Sequence, residues 1–191
     1  SAPTAAGVPY GQNGNQTFPL YPPSPLSHLE VSFSDQVLPI CDGNATILRT
    51  WTVFDPCLPN SSDPPNPVYF TQQIRVEDKQ GPVLPCPQNL TVDVDPVSCC
   101  ATVNLPDVLL IDSCSRVKSL EAIVTTIDPV TLDTLDAILV YGILTSFPGN
   151  DVLFPDTLGV LGDTPCLPRG THTVTYTVSD DCGQTSSCGF F

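Results

Sequence analysis

The chain has 191 residues, with 6 Lys and Arg against 20 Asp and Glu and a net charge of −14. So few basic residues cannot make a face for phosphates, which argues against nucleic acid and against an anionic membrane surface as partners. Hydrophobic residues make up 41%, enough for one large or two small cores, while 22 prolines and only 14% charged residues favour strands and extended segments over helices.

Residues 1–28 are rich in Gly, Pro, Asn and Ser, and Pro19, Pro22, Pro23 and Pro25 favour extended geometry. Two readings stand: a disordered leader, or an arm that orders against a neighbour and inserts Val8, Tyr10, Phe18, Leu20 and Tyr21. The opening Ser1-Ala-Pro-Thr-Ala-Ala reads as a mature terminus left after a signal peptide is removed. Next come LEVSFSDQVL, a strand; the 41–57 segment discussed below; a Pro/Asn/Ser loop over 58–67; and VYFTQQIRVED, another strand. Residues 29–80 thus supply about three strands, too few to close a sandwich.

A second module opens at GPVLPCPQNLTVDVD. NLTVDVD alternates, and CATVNLPDVLLID is an apolar strand carrying Pro106 that ends in the turn Asp112-Ser113-Cys114. Residues 116–165 are less regular. EAIVTTID reads as a strand, and TLDTLDAILVYGILTSF fits either a strand pair or a short helix, which periodicity does not separate.

One stretch occurs twice. CDGNATILRTWTVFDPC at 41–57 and CLPRGTHTVTYTVSDDC at 166–182 align without a gap, placing Trp51 on Tyr176 and Val53 on Val178. The second copy alternates valine and threonine, the period of a half-buried strand, so Trp51 and Tyr176 are expected at equivalent core positions. Nine cysteines with no CxxC pair and two histidines argue for disulfides in an oxidising compartment rather than zinc. The duplicated spacing makes Cys41–Cys57 and Cys166–Cys182 the simplest pairs. That scheme needs a regular part of about seven residues with both flanks folding back. A crossed scheme joining loops at one end of a sandwich stays open.

The run from Pro82 to Phe191 resembles a hyalin-repeat (HYR) domain, an extracellular immunoglobulin-like sandwich. GPVLPCPQNLTV, IDSC and RGTHTVTYTVSDDCGQTSSCGF carry the likeness. Residues 29–80, with Cys41, RTWTVFDPC and QQIRVED, resemble the back half of such a unit, as in Bacteroidota-type cell-surface repeat proteins. The chain departs from the family in a long stretch between Cys114 and Gly170, in the doubled Cys99-Cys100, and in the missing front half of its first module. The resemblance implies a Cys86–Cys188 disulfide. It leaves Cys114 for Cys99 or Cys100, of which only one can face it, and one cysteine over, free or intermolecular.

Four of the eight asparagines, Asn15, Asn44, Asn60 and Asn89, lie in N-x-Ser/Thr sequons. Ser113, Thr134 and Thr157 each follow an aspartate in triplets that resemble an O-glycosylation signal of the same bacteria. No nucleophile elbow, HExxH or phosphate loop is present. A Cys/His dyad would need a free thiol, and His172 shares a face with Tyr176, as a core or edge residue would. The carboxylates fall mainly in turns such as Glu77-Asp78 and Asp180-Asp181, where exposure is the default. Calcium takes clustered oxygens of that kind, but no loop matches a calcium pattern and no cofactor is expected.

These readings converge on an all-β chain: an immunoglobulin-like β-sandwich at 81–191 with an enlarged middle (116–165), preceded by a partial β-module at 29–80 and an arm at 1–28. The expected function is a non-enzymatic, secreted, glycosylated structural subunit of a filament or surface matrix. Its partners would be copies of itself, joined head to tail by strand addition. The alternative is an adhesive module that binds surface glycans. No apolar run is long enough to span a bilayer.

Overall fold

The computed structural model describes residues 6–22, 28–62, 65–127, 131, 134–147 and 156–191. The described residues form strands and turns with no α-helix, and their strands pair antiparallel. The chain divides into two compact units, one of residues 1–40 and 44–77, the other of residues 41–43 and 78–191.

In the first unit, β1 (Tyr10–Asn13) and β2 (Gln16–Pro19) make a hairpin. The proline-rich leader therefore carries regular structure. Asn13-Gly14-Asn15 is a turn sequence, and Gly14 takes the left-handed φ of 61° that the turn demands. Then come β3 (Glu30–Cys41), β4 (Asn44–Phe54), the short pair β5 (Ser61–Ser62) and β6 (Pro65–Asn66), and β7 (Val68–Val76). One sheet runs in the order β3-β4-β7. Its central strand alternates, with Ile47, Arg49 and Trp51 buried on one face. Asn66 closes the loop after β4: its Oδ1 accepts from Asp55 N (3.0 Å), and its Nδ2 donates to the carbonyls of Asp55 (2.9 Å) and Leu58 (3.1 Å).

The second unit contains β8 (Cys100–Ala101), β9 (Asn104–Leu105), β10 (Val108–Leu110), β11 (Val117–Ile127), β12 (Thr134–Tyr141), β13 (Ile143–Phe147), β14 (Asp156–Val160), β15 (Gly162–Asp163), β16 (Leu167–Pro168), β17 (His172–Asp180) and β18 (Thr185–Phe190). A four-stranded sheet runs β12-β11-β17-β18 and a three-stranded one β10-β14-β13, with β15-β9 and β16-β8 as small pairs. The core draws on both larger sheets: Val108 and Leu110 from β10, and Leu120, Ala122 and Val124 from β11 with Val174, Tyr176 and Val178 from β17. Tyr176 and Trp51 are both fully buried, as their alignment in the repeat predicts.

TLDTLDAILVYGILTSF contains a strand pair whose members join different sheets. β12 pairs with β11 and β13 with β14, and the chain changes sheet at Gly142, whose N–H donates to the Leu120 carbonyl (2.8 Å). A side chain there would press on Leu120 at 3.1 Å. Burial keeps one alternation through the crossing, from Ile138 to Leu144, so the period alone does not reveal the change of sheet.

The cysteines pair differently from the local scheme. The bonds are Cys41–Cys182, Cys86–Cys188 and Cys100–Cys166, while Cys57, Cys99 and Cys114 are free and exposed. Neither Cys41–Cys57 nor Cys166–Cys182 forms, and Cys114 binds neither Cys99 nor Cys100. The reason is strand length. β4 has 11 residues and β17 has 9, so each holds its flanking cysteines roughly 30 Å apart, far beyond disulfide reach. Cys41 instead crosses from the start of the first copy to the end of the second, while Cys166 pairs with Cys100 outside the repeat and Cys57 stays free. Cys86–Cys188 is the bond that the HYR resemblance implies. Of the doubled cysteines, Cys100 meets Cys166, and Cys99 sits in left-handed backbone at φ 58°. The turn 41–43 belongs to the second unit. Gly43 is left-handed there, and the Cys114 carbonyl oxygen fills the place a Cβ would take.

Candidate assembly surface

The first unit offers a sheet with two open edges. β3 and β7 are its outer strands, and most of their residues are exposed. Both present apolar side chains to solvent: Val37, Leu38 and Ile40 on β3; Val68, Tyr69, Phe70 and Val76 on β7. Long exposed apolar edges are the surfaces that strands of other chains add to.

One face of this sheet is built around a charge. Arg49 is fully buried on β4 between Ile47 and Trp51. Its Nε and Nη2 donate to the two carboxylate oxygens of Asp35, both at 2.7 Å, in the bidentate geometry that guanidinium and carboxylate share. The guanidinium carbon lies 4.3 Å from the centroid of the Phe33 ring and 5.7 Å from that of Trp51. Nη1 is buried and has no hydrogen-bond partner among the described residues. Hydrogen bonds from Arg49 hold the Asp35 carboxyl below its ordinary value of 3.8, outweighing the opposing effect of burial.

The sign of a pH effect follows. A carboxyl whose pKa falls on folding adds stability above its unfolded value and loses it as pH drops through the folded one. Asp35→Asn is therefore expected to be less stable than the parent chain at neutral pH, with the gap closing as pH falls below about 4. Urea titrations followed by the fluorescence of Trp51, the single tryptophan, at pH 7 and pH 3 check this. A gap that stays constant would show that Asp35 contributes no charge-linked stability.

Residues 6–22 cover the same face. Tyr21 packs on Trp51 (5.5 Å between centroids) and edge-on against Phe33 (6.1 Å). Trp51 Nε1 donates to Gln72 Oε1 (3.0 Å), and Gln72 Nε2 donates to the Ala6 carbonyl. Of the candidate arm residues, Tyr21 thus contacts the buried Trp51 and the exposed Phe33, Val8 and Leu20 are half-buried, and Tyr10 and Phe18 are exposed on the hairpin.

The other predicted sites scatter. Asn15, Asn60 and Asn89 are exposed and Asn44 is half-buried. Asn89 Oδ1 accepts from Phe191 N (3.1 Å). Ser113 and Thr134 are exposed. Thr157 is corrected: it is 2% exposed and its hydroxyl bonds Ser146 Oγ at 3.3 Å, because its position on β14 points into the core, so it offers no acceptor for a glycan. His172 is held at both ring nitrogens, by Thr126 Oγ1 (3.0 Å) and the Pro168 carbonyl (2.8 Å). A carbonyl only accepts, so Nε2 donates to Pro168.

That histidine stands at an apolar groove of 440 Å³ in the second unit, between the extended segment carrying Leu90, Val92 and Val94 and the side chains of Val103, Leu167 and Val174. The rings lining it are His172, Phe190 and Phe191, with no tyrosine or tryptophan. Two groupings escape sequence reasoning. His28, Asp55 and the free Cys57 gather within 4.8 Å, with His28 Nε2 3.4 Å from Asp55 Oδ2. The His28 side chain is 60% exposed. The second grouping is Asp78, Asp112 and Asp180.

Fold and surface define a disulfide-braced all-β protein with an open, apolar-edged sheet. No helix among the described residues is long and apolar enough to cross a membrane, and three disulfides fit an oxidising compartment. No family model, curated protein or solved structure matches the chain.

Proposed function

We propose that the protein is a non-enzymatic, secreted structural subunit of an extracellular filament or surface matrix. Copies of the chain join head to tail by β-strand addition at the first unit, and the second unit is an HYR-like module. The observation that carries this reading is the three-stranded β3-β4-β7 sheet, both of whose outer strands expose large apolar side chains. A monomer gains nothing from leaving them in water.

The occupant is a second copy of the same chain. Residues 6–22 cover the Trp51 face through Tyr21 and the Ala6 carbonyl, and Pro23-Ser24-Pro25 separates them from β3 in the sequence. The same contacts made by a neighbour's segment would constitute a domain swap, a low-cost route from a monomer to an assembly. A swap that passes from copy to copy without closing makes a fibre.

Sugar binding is less well supported. Glycan sites favour flat exposed rings, and the groove of the second unit has only Phe191 in that role, at 57% exposed.

Deleting residues 1–25 separates swapping from packing within one copy. Assemblies of the intact chain are expected in negative stain and sedimentation, and the truncated chain is expected to sediment as a monomer. A peptide of residues 6–22 should bind the truncated chain and cap it. Truncated assemblies as resistant to heat and denaturant as intact ones would defeat the proposal.

A further inference from the structure

Three aspartates far apart in sequence converge in the second unit. Asp78 lies just beyond β7, Asp112 follows β10, and Asp180 ends β17. Each puts a carboxylate oxygen within 4.8 Å of the other two. None is a solvated turn residue: Asp78 and Asp112 are 8% exposed and Asp180 is 1% exposed.

Each carboxylate also closes its own turn, which fixes its direction. Asp78 Oδ1 accepts from Gln80 N (3.0 Å). Asp112 Oδ1 accepts from Cys114 N and Ser115 N, both at 2.9 Å, and its Oδ2 accepts from Ser115 Oγ (3.2 Å). Asp180 Oδ1 accepts from Gln184 N (2.8 Å). Asp180 Oδ2 is buried with no hydrogen-bond partner among the described residues. A buried carboxylate oxygen without a donor is costly, and two further carboxylates beside it add repulsion.

We propose that Asp78, Asp112 and Asp180 form a binding site for a hard divalent cation, with calcium as the best fit. Carboxylates alone are the donor set of calcium and magnesium rather than of zinc, which takes nitrogen and sulfur. Two oxygens bound about 2.4 Å from one calcium are separated by at most twice that distance, which the spread of 4.8 Å respects. The ion gives Asp180 Oδ2 its missing partner and neutralises the cluster. Three turns distant in sequence would then be clamped together by it, and open coordination positions would go to water. Extracellular modules bind calcium weakly, with dissociation constants of about 10⁻⁴–10⁻³ M, so the site would fill outside cells.

The test is thermal unfolding of the intact, metal-stripped chain with and without calcium, alongside Asp180→Asn and the exposed-turn control Asp95→Asn. At roughly a hundred times the dissociation constant, calcium is expected to raise Tm of the parent chain by about 5–10 °C. The rise should persist in Asp95→Asn and vanish in Asp180→Asn. Calorimetric titration of the parent chain should give one ion per chain. If Asp180→Asn does not fold, Asp112→Asn, which keeps the Oδ1 acceptor, should lose the rise in its place. Equal Tm in chelator and in calcium would overturn the site. So would a rise that survives loss of the carboxylate, which would place the binding elsewhere on this acidic surface.

Discussion

Tyr176→Ala is expected to cost about 3–5 kcal/mol of unfolding free energy, the range for truncating a fully buried aromatic. Tyr176 sits mid-strand on β17 with no exposure, paired across the sheet with Ala122 on one side and Cys188 on the other. Its ring meets Phe190 edge-on at 5.1 Å, the favoured geometry for an aromatic pair. Its hydroxyl donates to the Pro106 carbonyl (3.0 Å), tying the sheet to the segment before β10. Burial, with the Asp107 charge adding to it, pushes the phenol above its ordinary range, so the hydrogen bond survives any working pH. Tyr176→Phe removes that hydrogen bond alone and should cost about 1 kcal/mol. Urea unfolding of the second unit, read by far-UV circular dichroism, measures both. A loss below about 1 kcal/mol for the alanine variant would mean that the ring is not in the core.

Removing the Cys41–Cys182 bond with a double serine variant should be equally severe. The bond closes a separation of 141 residues, which in the chain-entropy model corresponds to about 5 kcal/mol. Cys57→Ser is the matched control and should be neutral, since that thiol is free and exposed. Non-reducing peptide mapping checks the pairing directly. It should recover Cys41 with Cys182, Cys86 with Cys188 and Cys100 with Cys166, and maleimide should label Cys57, Cys99 and Cys114. A peptide joining Cys41 to Cys57 would refute the crossed arrangement.

The two effects arise from the same repeated strand, and they show how far sequence reaches. Alternation is a local property. Thr and Val at every second position, with Trp51 aligned on Tyr176, identify a half-buried strand twice over, and both aromatic rings are in fact fully buried. The composition likewise announces an all-β chain. The buried Arg49 was missed in the sequence, since nothing local identifies Asp35 on the neighbouring strand as its partner.

Pairing between distant segments belongs to the tertiary structure. The duplicated cysteine spacing suggests two local loops, yet each strand runs straight through its copy and carries its two cysteines to opposite ends. Which sheet each half of 134–147 joins is decided at Gly142, where the chain crosses from one sheet to the other with no break in its alternation. The three aspartates each end a run that reads as an ordinary exposed turn: RVED before Lys79, LLID before Ser113, TVSD before Asp181. Sequence determined the strands and the faces they bury, because side-chain alternation acts between neighbours. Only the tertiary structure decided which cysteines meet and which carboxylates are forced together, because those distances depend on how strands from across the chain are stacked.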